Sequence, residues 1–126
     1  MQPISTDEAP GAIGPYSQGI IDGETVYVSG QGPVDPETGE IVSDDIREQT
    51  RRTLENVGAV LEAGGSSLDD VVKATVFVRD MADYEAVNEV YGEYMSDPYP
   101  ARSAVQIVDL PIDIDVEIEA IATLAE

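Results

Sequence analysis

The sequence predicts an α+β fold in which two helices lie on one face of a mixed β-sheet. Two stretches adopt a helical period, "DIREQTRRTLENVGAVLEAGG" (45–65) and "DMADYEAVNEVYGEYM" (80–95). Aliphatic runs of strand length precede, separate and follow them. The resulting order, β-β-β-α-β-α-β-β, fits helices layered on one side of a sheet. A chain of 126 residues reads as one domain, residues 1–126, with enough mass to bury a real core.

Each element has its own signal. Residues 1–15 are rich in Pro, Gly and acid, and the first eleven are expected to form an irregular N-terminal arm. "YSQGII" reads as a strand that turns at Asp22-Gly23, a two-residue hairpin signal, and returns as "TVYVSG". "DPETG" is a second turn between the short apolar pieces of "GPVDPETGEIV". In the first helix Asp45 and Glu48 have the spacing of a capping box, and Thr50, Thr53, Leu54, Val57, Val60 and Leu61 share one face before Gly64-Gly65 ends it. "VVKATVFV" alternates Val72, Ala74, Val76 and Val78 against Lys73, Thr75 and Phe77. Asp80 can cap the second helix, whose apolar side carries Tyr84, Val87, Tyr91, Tyr94 and Met95 together with Asn88. The last strands, "ARSAVQIVDL" and "VEIEAIATLA", are aliphatic on both faces, which predicts a sister subunit over the uncovered side of the sheet.

Charge and missing residue types exclude much chemistry. Against 26 acidic residues stand 6 basic ones, a formal net charge of −20, with the acids scattered along the whole chain. Such a surface repels itself unless salt screens it, and predicts adaptation to a salty cytoplasm, as in a halophile. Nucleic acid and anionic membranes draw their affinity from clustered Lys and Arg, so neither is expected as a partner. Without Cys or His there is no disulfide, no thiol nucleophile, no Ser-His pair and no zinc site of the usual kind. The N-terminus shows no basic and apolar leader pattern, and a cytoplasmic location is expected.

The remaining reactive groups are carboxylates, hydroxyls, one lysine and five arginines. In the strand "ARSAVQ", Arg102, Ala104 and Gln106 point one way; in "VEIEAIA", Glu117 and Glu119 share a face, so a guanidinium and a carboxylate can rise from neighbouring strands. Arg102 is either the fork that grips a small carboxylate or one half of a salt bridge to a nearby acid. Glu117 is either a general base acting on water or another surface acid. The glycines of "SGQGP" (29–33) open no helix, so they suit close backbone approach to a ligand or subunit better than a phosphate loop. Tyr16 and Asn88 are packing residues or ligands, and Lys73 reads as structural.

In order along the chain, "AIGPYSQGI", "VYVSGQGPVDPETGEI", "TRRTLENVGAVLEAGGSSLDDVVKATVFVRDMADYEAVNEVY", "YPARSAVQ" and "VEIEAIA" resemble the RidA (YjgF) family of reactive intermediate deaminases, from about Ala12 to Ala122. The resemblance implies a chorismate-mutase-like subunit assembled as a homotrimer with sites between subunits. It also implies hydrolysis of 2-aminoacrylate and 2-aminocrotonate, through their imines, to 2-oxo acids and ammonia, with no cofactor and no metal. The family's carboxylate-binding arginine falls on Arg102, its water-activating acid on Glu117, and its pocket residues on Tyr16, Ser29, Gly30 and Asn88. Many relatives carry cysteine where this chain has Ala104; the backbone carbonyl there can serve equally, but chemistry needing a thiol is not implied. The alternative function is a non-catalytic module that binds a 2-oxo acid or amino acid. RNA cleavage, claimed for some relatives, ranks last because a −20 surface repels RNA.

Overall fold

The computed structural model describes residues 1–126. Its elements are β1 (Gln2–Ile4), β2 (Gly19–Asp22), β3 (Thr25–Gln31), α1 (Ile46–Ala63), β4 (Val71–Val78), α2 (Tyr84–Tyr94), β5 (Ala101–Gln106) and β6 (Val116–Thr123). They form one six-stranded sheet in the order β1-β2-β3-β6-β4-β5, antiparallel except for the β4–β5 pair, which α2 connects. The predicted order of elements holds, but its first strand comes from the supposed arm. Gln2–Ile4 pairs with β2 at the sheet edge, where Pro3 is tolerated because no ladder bond is needed on the outer side. The expected strand around Val34 and Ile41 is reduced to a single bridge.

Local chemistry sets the ends of the elements. The β2–β3 turn is Gly23-Glu24, one residue later than predicted, with Gly23 at φ +62° in the position where a hairpin turn favours glycine. Asp45 caps α1 by accepting the Arg47 N–H at 2.9 Å, while its own N–H donates to Ser43 Oγ, so the reciprocal arm of the capping box is not made by Glu48. At the other end Gly65, at φ +85°, donates to the Glu62 carbonyl and Ser66 to the Leu61 carbonyl. This paired closure stops the helix where two glycines were expected to stop it.

The core lies between the helices and one sheet face. All six residues predicted for the inner side of α1 are buried, and they meet Val26, Val28, Ala74, Val76, Val78, Val116, Ile118, Ala120 and Ala122 from the sheet. Burying each large aliphatic side chain of this set stabilises the fold by about 1.5–3 kcal/mol. A register shift between Val71 and Lys73 corrects one assignment: Val71 turns inward and Val72 is 49% exposed. No helix covers the opposite face. Ile20, Tyr27, Ile121, Lys73 and Ala101 form one row across it, and Glu117, Phe77 and Val105 another.

Candidate active site

Arg102 stands on β5 opposite Ala74, whose side chain is fully buried on the helix side, so the guanidinium lies beneath α2. Tyr84, Asn88 and Tyr91 recur there at i, i+4 and i+7, one helical face. Arg102 Nη2 donates to Tyr84 Oη at 2.9 Å, and Cζ lies 4.8 Å from the Tyr91 ring centroid and 5.5 Å from that of Tyr84. These rings attract and orient the cation without neutralising it. Arg47, Arg51, Arg52 and Arg79 each pair with a carboxylate, whereas Arg102 has none. Within the chain Arg102 therefore makes no salt bridge, although the net charge is −20.

Further unused polar groups surround it. Asn88 Oδ1 and Tyr91 Oη are buried with no hydrogen-bonding protein partner. Burial pushes the Tyr91 hydroxyl pKa up, against the opposing pull of Arg102. β5 is an edge strand whose Ile107 N–H donates inward to Val78; by strand alternation the Ala104 carbonyl then faces the free edge, as a ligand acceptor would need. The Ala104 side chain itself packs against the core.

Glu117 belongs to a different place. Its neighbours Val116 and Ile118 point into the core, so Glu117 and Glu119 project from the open face. β3 carries a bulge between Val28 and Gln31, which sets Ser29 and Gly30 against β6 out of register. A Cβ on Gly30 would overlap Oε2 of Glu117 and lie 2.8 Å from its Cδ, so glycine is what lets the carboxyl settle against the backbone. Ser29 is committed to structure, its N–H donating to the Gln18 carbonyl and its Oγ to the Ser17 carbonyl at 2.6 Å. Tyr16, Gly30 and Glu117 line a cavity of about 420 Å³ whose other walls include Pro10, Gly11, Ile13 and Ile112. Half-burial in this cavity, and then the charge of Glu119, raise the Glu117 pKa above the ordinary carboxylate value. A larger hollow of about 620 Å³ outside the arm contains Tyr16 but neither Glu117 nor Arg102. No group of three or more acidic side chains converges as metal ligands would.

The predicted residues therefore fall into two groups, one with Arg102, Asn88 and Ala104, the other with Tyr16, Ser29, Gly30 and Glu117. The expectation that Arg102 and Glu117 rise together from neighbouring strands is corrected: β4 separates β5 from β6, and the two side chains leave opposite sheet faces. Tyr84 and Tyr91, which the sequence marks as packing residues, hold the guanidinium; their spacing around Asn88 was the available signal.

A family model described as Endoribonuclease L-PSP matches residues 6–124. The chain belongs to this family. It is the family of the RidA-like motifs, with a RutC family protein of Pyrococcus abyssi 55% identical over 119 residues (94% of each chain). The human 2-iminobutanoate/2-iminopropanoate deaminase is 45% identical over 119 residues, covering 94% of this chain and 87% of the human one. Escherichia coli TdcF, solved with bound serine, superposes with a TM-score of 0.93 at 47% identity, covering 99% of this chain and all of that one. The YjgF-like architecture is thus established for this member of the family.

Proposed function

We propose that the protein is a 2-iminobutanoate/2-iminopropanoate deaminase whose site is completed between two copies of the chain in a homotrimer. The observation that carries this reading is Arg102: a guanidinium oriented by two tyrosines and left without a carboxylate in a strongly acidic protein. The deaminase named among the relatives supports the reaction class. The division of the two groups between opposite sheet faces supports assembly, since one copy's β5 edge and α2 can supply Arg102, the Ala104 carbonyl and Asn88 to another copy's Glu117 cavity.

In the proposed reaction the enamine first tautomerises to the 2-imino acid. Arg102 grips the carboxylate through two N–H donors and the Ala104 carbonyl accepts from the protonated nitrogen. Glu117 takes a proton from water as the water oxygen bonds to C2. It returns that proton to nitrogen, then takes the C2 hydroxyl proton as C2=O forms and the C2–N bond breaks, releasing ammonia and the 2-oxo acid; the last proton passes to ammonia as ammonium and restores the carboxylate. No cofactor takes part. The net charge of −20, with only six basic residues, disfavours RNA as a substrate.

The test is complementation between two inactive variants, assayed for ammonia release in high KCl with a threonine dehydratase as the source of imine. Arg102→Ala and Glu117→Gln, each alone, are expected to be nearly inactive. Trimers assembled from an equal mixture should recover about one quarter of the wild-type rate, because one random subunit contact in four joins an intact Arg102 to an intact Glu117. Mixed trimers without activity would refute the shared site. Saturable 2-oxobutanoate binding by the wild type without ammonia release would instead select the binding-module reading, which the serine-bound relative makes the relevant alternative.

A further inference from the structure

Residues 6–13 form one wall of the Glu117 cavity through Pro10, Gly11 and Ile13, yet none of them takes part in a backbone–backbone hydrogen bond. One side chain replaces the missing ladder. Gln18, only 4% exposed, accepts the Thr6 N–H through Oε1 at 2.7 Å and donates through Nε2 to the carbonyls of Thr6 (3.0 Å), Ala9 (3.2 Å) and Pro10 (2.8 Å). Two N–H bonds serve three carbonyls, so every polar atom of the carboxamide is occupied. The other polar ties of the segment are the Glu8 N–H to its own neighbour Thr6 and the Ile13 N–H to Tyr16 Oη at 3.3 Å. Ala9, 2% exposed, provides the apolar anchor at the same point.

The backbone of Gln18 reaches the other wall. Its carbonyl accepts the Ser29 N–H at 2.9 Å, beside the Gly30 bulge on which the Glu117 carboxyl rests. A single residue therefore fastens the irregular arm and the bulge to each other, on the two sides of the same cavity. We infer that Gln18 is a positioning residue for ligand capture: its carboxamide holds residues 6–13 as the wall that encloses a small 2-oxo or 2-imino acid beside Glu117. This inference rests on the Glu117 cavity being the reactive site.

Gln18→Met keeps length and bulk while removing all four side-chain bonds. In the assembled protein three quantities are compared with wild type: hydrogen exchange at the amides of residues 6–13, the Kd for 2-oxobutanoate, and kcat and KM for imine hydrolysis. The inference expects faster exchange confined to the arm, a Kd and KM raised about tenfold, and a kcat changed by less than about threefold, the pattern of lost binding rather than lost chemistry. Unchanged arm exchange, or a released arm with unchanged Kd, overturns it. So does a kcat loss with Kd intact. If Gln18→Met does not fold, Gln18→Asn, which keeps the amide but falls one methylene short, is judged by the same criteria. A wild type that binds 2-oxobutanoate but releases no ammonia would sink the deaminase reading while leaving the Kd comparison to decide the role of Gln18; a wild type that binds none would overturn both.

Discussion

Arg102 is carried by a regular parallel strand pair and roofed by a helix, whereas Glu117 faces a bulged strand and a loop held by one glutamine side chain. The first arrangement fixes the position and orientation of a guanidinium. The second places a carboxylate in a half-buried cavity that opposes its ionisation, where a base on water gains proton affinity. In the proposed reaction the grip on the carboxylate is thus built on regular structure, and proton transfer, with the wall that encloses the ligand, on irregular structure. The difference is useful because each half can be damaged without touching the other.

The largest expected effect comes from the irregular half. Glu117→Gln keeps the shape of the side chain and removes the base, so kcat should fall by about 10²–10⁴-fold with KM little changed. Stability should move the other way. The folded pKa of Glu117 is raised above its ordinary 4.5, so proton binding favours the folded state at low pH, and this advantage is lost as pH rises through the raised value. At neutral pH the ionised carboxylate opposes folding, and its replacement should raise the melting temperature by roughly a few degrees. The difference should vanish below the ordinary carboxylate pKa. For the wild type, kcat/KM should rise with pH through an apparent pKa above 4.5. A variant less stable than wild type at pH 7 would show that Glu117 makes a structural contact instead.

Gly30→Ala tests the same carboxylate from the backbone side. The new Cβ overlaps Oε2, the free end of a flexible side chain, and Gly30 needs no left-handed backbone, so the fold can absorb the change by turning Glu117 away. A loss of about tenfold or more in kcat with a stability change under about 1 kcal/mol is expected, a 1 Å displacement of a catalytic group being enough for such a loss. Equal losses in stability and rate would mean that the bulge, rather than the carboxylate, had moved.

The contrast between the halves also governs what could be read from the sequence. The buried side of α1 was legible because Thr50, Thr53, Leu54, Val57, Val60 and Leu61 follow one period that nothing interrupts. Strand alternation correctly put Arg102 with Ala104, and Glu117 with Glu119, but alternation assigns residues to a common side without saying which side faces the helices. That choice depends on pairing with β4, a partner distant in sequence. β1 was missed because three residues containing a proline carry almost no pattern, and the shifts at Val71 and at Ser29-Gly30 were missed because a bulge leaves no mark in the periodicity of its own strand. The role of Gln18 was hidden for a related reason: its partners are main-chain atoms, which composition does not distinguish.

The smallest expected effect lies in the regular half. Tyr91→Leu preserves an apolar side chain beneath α2 but removes the ring face 4.8 Å from Arg102. A partly desolvated cation–ring contact contributes about 1–2 kcal/mol, so KM should rise by about 5- to 30-fold as the guanidinium loses its preferred orientation. Because the grip on the carboxylate is the same before and during water attack, kcat should stay within about threefold of wild type. Tyr91→Phe separates the ring from the hydroxyl. It retains the aromatic face and removes an oxygen that bonds to no protein group, so KM should stay near wild type and stability should not fall. If Tyr91→Phe proved as damaging as Tyr91→Leu, the hydroxyl rather than the ring would be acting on the ligand, and the Arg102 half would contribute a hydrogen bond of its own.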